Sequence, residues 1–148
     1  MRKVISNTSC LIALSNIQEL DLLKKVYGEI YITPEVAAEF GETLPGWISV
    51  LPVKDQAKVK LIANTLDIGE SSTIALAMEQ NESLLILDDG KARRFAENLG
   101  LTITGTLGVI VKAKQQGEAV DLKSIIVKFR QCGFRIPNNI ESVLVDLE

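Results

Sequence analysis

No histidine occurs in the 148 residues of this chain. Ser-His-Asp triads, Cys-His pairs, histidine-paired RNase chemistry and helical two-histidine zinc sites all need an imidazole. None of them is open to this sequence. An enzyme built from it must move protons and hold metals with carboxylates, lysine or tyrosine. Cysteine is almost as scarce. Cys10 and Cys132 stand far apart, which makes neither a disulfide framework nor a zinc site, and two buried thiols in a reducing cytosol are expected. Aromatics make up 5% of the chain, too few for a platform on which a run of bases would stack. Aliphatic runs such as Leu84–Leu87 stop after about four residues, far short of the roughly 20 a membrane helix needs. After Met1-Arg2-Lys3 the apolar stretch is broken at once by Ser6, Asn7, Thr8 and Ser9, so there is no signal-peptide core. The expectation is a cytoplasmic protein with no membrane partner.

What remains is 47% apolar and 24% charged, enough to build one packed core over residues 1–148. Short β-type runs alternate with helical patterns. Val4-Ile5 reads as a strand, followed by two helices over Thr8–Tyr27 that break near Ser15-Asn16. Asn16 with Glu19 resembles a capping box for the second helix, and Gly28 ends it. Glu29–Ile32 is the second strand, and Thr33-Pro34 is an N-cap with proline at the first helical position, opening a helix that stops at Gly41. Trp47–Val53 is an edge strand or an extended loop. Lys54–Leu66 is helical, with Ala57, Leu61 and Ile62 on one face. Asp67 to about Gln80 is the next helix, Leu84–Leu87 a strand of the type buried on both faces, and Gly90–Leu99 a helix closed by Gly100. Leu101–Ile103 is the last strand. Helices follow at Thr106–Gln116, Asp121–Gln131 and Asn138–Leu147. This alternation predicts an α/β fold, a parallel sheet with helices on both faces, in which a site lies beyond the carboxyl ends of the strands.

Acids gather at those ends. Asp88-Asp89 follows the Leu84–Leu87 strand, Asn7-Thr8-Ser9 follows the first strand, Glu70 opens a helix, and Glu39 lies on the helix after the second strand. Carboxylates brought together there repel unless a cation sits between them. An oxygen-only donor set suits Mg²⁺ or Mn²⁺, and such an ion can activate a water and neutralise a phosphodiester without histidine. Simpler roles stay open at each position: Asp89 as the N-cap of the Gly90 helix, Glu70 in a capping pair with Asp67, and Glu39 as a solvated helix residue.

With those residues in view, the chain resembles a PIN domain, in particular a prokaryotic subgroup of predicted nucleic-acid-binding PIN proteins. The stretches that carry the resemblance are Asn7-Thr8-Ser9 with Leu11–Leu14, Thr33–Val36 leading to Glu39-Phe40, Asp67–Glu70 with Ala75–Ala77, Leu85–Asp89 with Ala92–Ala96, and Gly100–Val109 with Ala113-Lys114. They run over about residues 3–136, and it is their order and spacing together that is specific. The resemblance implies a PIN-like three-layer fold with a parallel sheet of four to five strands. It implies metal-dependent cleavage of RNA, and for many bacterial relatives a toxin role, with a small antitoxin and a second copy of the chain as partners. It places metal-binding acids at Glu39, Glu70 and Asp89, with Asp88 as an additional candidate, and substrate-positioning hydroxyls at Thr8 and Ser9. The family's first acid falls on Asn7. An amide oxygen can ligate an ion, but it brings no charge and cannot act as a base.

RNA and a net charge of −3 are reconciled by position along the chain. Residues 90–135 hold nine bases and three acids, a local +6, which leaves seven bases and sixteen acids elsewhere, or −9. Lys91, Arg93 and Arg94 directly follow the acids and could hold flanking phosphates; ordinary solvated helix faces are the alternative. Thr106, behind Gly105, opens a helix whose N–H groups could face an anion. The leading expectation is a Mg²⁺- or Mn²⁺-dependent ribonuclease using Asn7, Glu39, Glu70, Asp88 and Asp89. The rival is a PIN-fold binding module for RNA or protein, weakened by Asn7. A response-regulator-like or nucleotide-binding domain is a third reading, but it lacks an acid at the end of the first strand and any glycine fingerprint.

Overall fold

In the computed structural model, which describes residues 2–134 and 136, five short strands pair side by side and all run parallel. They are β1 (Lys3–Ser6), β2 (Ile30–Ile32), β3 (Ile48–Val50), β4 (Ser83–Ile86) and β5 (Thr102–Thr104), in the order β3-β2-β1-β4-β5. The chain winds outward from β1 through β2 to β3, then crosses back to β4 beside β1. The switch point of the sheet therefore lies between β1 and β4, where Ser6 pairs with Ile86.

Eight helices cover the sheet among the described residues: α1 (Thr8–Asn16), α2 (Asp21–Tyr27), α3 (Pro34–Phe40), α4 (Gln56–Ile62), α5 (Ile68–Met78), α6 (Gly90–Asn98), α7 (Thr106–Gln115) and α8 (Leu122–Gln131). Side chains along a strand alternate between faces, and the sheet divides the core accordingly. Val4, Leu84 and Ile86 join the cluster under α1, α2, α3, α7 and α8; Ile5, Leu85 and Leu87 join the cluster under α4, α5 and α6. Ile5 and Leu85 have no exposed surface, and burying each contributes about 1.5–3 kcal/mol. A one-residue slip of β1 on β4 would exchange the two faces, so burial fixes the register. The expected three-layer α/β architecture is what the structure has.

Four sequence expectations need correction. Asn16 is the last residue of α1 and does not cap α2, whose N-cap, Leu20, makes no side-chain hydrogen bond. The turn is made by Gln18 at φ 60. Second, α4 starts only at Gln56, where Asp55 accepts the Lys58 N–H, and its buried residues are Val59 and Ile62. Ala57 is exposed, and Leu61 is 70% exposed. In a helix of seven residues the start decides which face turns inward, and Asp55 sets that start. Third, Cys10 is buried but Cys132 is exposed. Fourth, the helix within Lys54–Leu66 is confined to Gln56–Ile62, whereas Trp47–Val53 does hold an edge strand, β3. The expected final helix at 138–147 and Arg135 lie outside the described residues.

Candidate active site

The carboxyl end of β1 passes directly into α1 through Asn7. The Asn7 N–H donates to the Ile86 carbonyl at 3.1 Å, which ties the end of β1 to the end of β4. Its side-chain Oδ1 accepts the Cys10 N–H at 3.2 Å and so caps α1. Asn7 is 2% exposed. It is a local strut at the switch point, and its one carbonyl oxygen already has a donor. Thr8, the next residue, donates its hydroxyl to Glu39 Oε1 at 3.0 Å. Its polar contact is thus with the carboxylate on α3. Ser9 is exposed.

Packing of α3 on α5 brings two more acids to this rim. Thr33 caps α3 by accepting the Val36 N–H, with Pro34 pre-set at the first helical position. The Thr33 and Ser72 hydroxyls lie 2.7 Å apart and join α3 to α5. Gly69, in the first turn of α5, has no side chain, and the Glu39 carboxylate rests there; a methyl group on Gly69 would collide with Glu39 Oε1. Asp67 caps α5 by accepting the Glu70 N–H at 2.8 Å. Part burial, then the Asp67 and Asp89 carboxylates, push the Glu70 carboxyl up to about 7. Asp89 itself caps α6, accepting the Ala92 N–H at 3.0 Å. Glu70 and Asp89 therefore have the capping relations that the sequence left open, and they also crowd together electrostatically. Asp67 was named in the sequence only as a cap. The Asp-x-x-Glu spacing was the signal that could have found it, because a capping box puts both carboxylates on one helical turn.

Asp88 is handled differently from its neighbour. Its Oδ1 accepts the Thr106 N–H at 2.8 Å and its Oδ2 accepts the Thr106 hydroxyl at 2.5 Å. The N-cap of α7 is Gly105, which has no side chain to offer, so Asp88 reaches across from β4 and caps α7 in its place. Thr106 was expected to present a free N–H to an anion. The structure corrects this: the anion at that N–H is Asp88, and Thr106 is fully buried. A side chain on Gly105 would press on Arg93 Nη1 at 2.9 Å and on Asp88 Oδ1 at 3.0 Å, so glycine there permits their close approach. Arg93 donates from Nη1 to the Leu87 carbonyl at 2.8 Å. Behind Asp88 lies Cys10, whose thiol is pushed up to about 12 by burial, with Asp88 adding to the effect and Thr106 and Ser6 opposing it.

A cavity of about 780 Å³ opens beside these groups. Ser9, Asp88, Asp89 and Arg93 give its lining polar and charged groups, and Leu107 and Phe134 give it apolar surface. Ser9, Asp88, Asp89 and Arg93 were named from the sequence. Thr104, Gly108 and Phe134 were missed, because β5, α7 and the end of α8 meet only in three dimensions. Arg94 lies over the start of α6, 3.5 Å from where a Gly90 side chain would be, and Lys91 is exposed.

The donors at this rim are carboxylate, amide and hydroxyl oxygens, the kind that Mg²⁺ or Mn²⁺ takes. Glu70 is raised first by part burial and then by the Asp67 and Asp89 charges, and a divalent ion would relieve that second part, so the chemistry of the set fits such an ion. Among the described residues no group of three or more acidic or thiol side chains is placed to hold a metal ion. No helix among them is long and apolar enough to cross a membrane. Residues 3–147 match a family model described as a PIN domain. Neither the curated proteins nor the solved structures contain a match to the chain.

Proposed function

The chain belongs to the PIN-domain family, a nuclease-type fold, and from that premise we propose that it is a ribonuclease dependent on Mg²⁺ or Mn²⁺. The observation that supports the reading is the Glu39 carboxylate seated on Gly69, in the same helix turn as Glu70, whose carboxyl part burial and the Asp67 and Asp89 charges push up. Glu39, Glu70 and Asp89 would hold the ion, with Asp88 beside them. Bound there, a divalent ion supplies an activated water and neutralises the phosphodiester charge. The chain's own residues do the remainder. Thr8 fixes Glu39 through its hydroxyl, Ser9 can donate to a phosphate oxygen from the cavity wall, and Arg93, Arg94 and Lys91 supply positive charge for flanking phosphates. A cytoplasmic toxin role, with a small antitoxin and a homodimer as assemblies, is the biological form this reading takes.

One observation favours a second reading. Asn7 stands where a charged ligand is expected, and its oxygen already accepts the Cys10 N–H. In that reading the chain binds RNA or protein without turnover. RNA cleavage with Mn²⁺, measured on the wild type, Asn7→Asp and Glu70→Gln, separates the two. The nuclease reading expects wild-type cleavage that falls at least ~100-fold in Glu70→Gln, in line with losing a group that stabilises transition-state charge. Silence in the wild type with activity in Asn7→Asp supports the binding module. Silence in both, with no metal uptake by calorimetry, sinks the metal site.

A further inference from the structure

We propose that the 780 Å³ cavity beside Asp88 and Asp89 receives one unstacked base of a single-stranded RNA. The inference rests on the nuclease reading only for the identity of the polymer; the cavity's walls supply the rest. Its volume lies within the range of small-molecule sites, ample for a nucleobase with its ribose. Phe134 gives it one aromatic wall. That ring stacks on Phe129 with centroids 4.7 Å apart, and Phe129 is fully buried, so the platform is backed and fixed. A base can stack on such a ring whatever its edge. Leu107 adds apolar surface, and Ser9 and Arg93 add hydrogen-bond donors. Arg93 is held in place by its bond to the Leu87 carbonyl, which spares part of the ordering cost of binding.

Two glycines keep the cavity open on the side of α7. Thr104 Oγ1 lies against Gly108, and Arg93 with Asp88 lies against Gly105. A side chain at either position would displace the polar groups that line the space. Among the described residues Phe134 alone brings a ring to the cavity, so it suits a single base and not a stacked run. A base paired in a duplex is stacked and cannot enter, whereas a base in a loop or single strand can. The basic bias of residues 90–135 matches the phosphates on either side of that base.

The test is calorimetric binding of the four nucleoside 5′-monophosphates and of ribose 5-phosphate to the full chain, in EDTA. At least one nucleotide is expected to bind roughly tenfold or more tighter than ribose 5-phosphate, the margin that base stacking supplies. Leu107→Trp, which fills the cavity, and Phe134→Leu, which keeps apolar bulk but removes the ring, should each erase that margin while the thermal midpoint stays close to wild type. Glu70→Gln should leave it intact. The proposal is overturned if all four nucleotides bind no better than ribose 5-phosphate. It is also overturned if the margin survives in folded Leu107→Trp and Phe134→Leu. Failure of the nuclease reading looks different: Glu70→Gln then cleaves like wild type while the nucleotide margin stands.

Discussion

Asp88 and Asp89 are neighbours in the chain and opposites in their surroundings. Asp88 faces α7, and both of its oxygens have donors from Thr106. Asp89 caps α6 with one oxygen, and its charge, with that of Asp67, acts on Glu70 of α5. On the α7 side of the rim a negative charge is met in full by a helix N-terminus and a hydroxyl. On the α5 side part burial, and then the Asp67 and Asp89 carboxylates, disfavour the charged form of Glu70. A satisfied acid holds a fold together. A crowded one costs stability unless something relieves it, so under the proposed reading an ion would sit on the α5 side, with the α7 side as the brace.

That contrast can be broken from the α7 side first. Asp88→Ala leaves the buried Thr106 N–H and hydroxyl without their acceptor and removes the cap of α7. The expected cost is about 1–3 kcal/mol, read as a fall in the urea midpoint. Asp88→Asn keeps one acceptor oxygen and should lose about half as much. On the α5 side the largest expected change is in activity. Gly69→Ala drives a methyl into the Glu39 carboxylate while improving helix propensity, so folding stability should hold within about 1 kcal/mol. RNA cleavage should fall roughly tenfold or more because Glu39 is displaced. An Asp88→Ala variant as stable as wild type, or a Gly69→Ala variant with full activity, would erase the distinction between the two sides.

A pH series sharpens the same comparison at smaller amplitude. Glu70 titrates about its ordinary 4.5 when unfolded and up to about 7 when folded. Between those values the folded chain holds more protons than the unfolded one. Glu70 therefore makes metal-free stability decline as pH rises from about 4.5 to 7, with no further loss above. Thermal melts in EDTA should show Glu70→Gln less stable relative to wild type at pH 4.5 than at pH 7.5. Equal differences at both pH values would refute the raised titration of Glu70. Smallest of all, Thr8→Val removes one exposed hydrogen bond to Glu39 and should cost about 0.5 kcal/mol or less, with a two- to threefold fall in cleavage at constant melting temperature.

Much of the fold was legible because local chemistry and tertiary structure agree. Thr33-Pro34, Asp67 and Asp89 start helices where their side chains can cap, and glycines at 28, 41, 100, 117 and 133 end segments with positive φ. The apolar run at Leu84–Leu87 is buried as its composition requires. What misled was the turn after α1. Gln18 adopts φ 60 without being the glycine or asparagine that would announce it, and Asn16–Glu19 offered a capping pattern that the chain does not use. At the site, Glu39, Glu70 and Asp89 could be placed at one rim from topology. The brace from Asp88 to Thr106 could not, since it joins residues 18 apart in sequence through the pairing of β4 with β5. Thr106 then reads as a free helix start when the sequence is taken alone.

The burial of Cys10 has a practical side. Only a thiolate attacks an alkylating reagent, and Cys10, in the first turn of α1, is fully buried with its thiol pushed up to about 12. Cys132 is exposed. In one labelling time course Cys132 reacts from the outset, whereas Cys10 must wait for the β1–α1 corner to come away from α7. The ratio of the two rates is then a clock internal to the molecule, free of protein concentration and reagent decay. Its reading gives the free energy of opening that one corner, without any residue being changed in the chain.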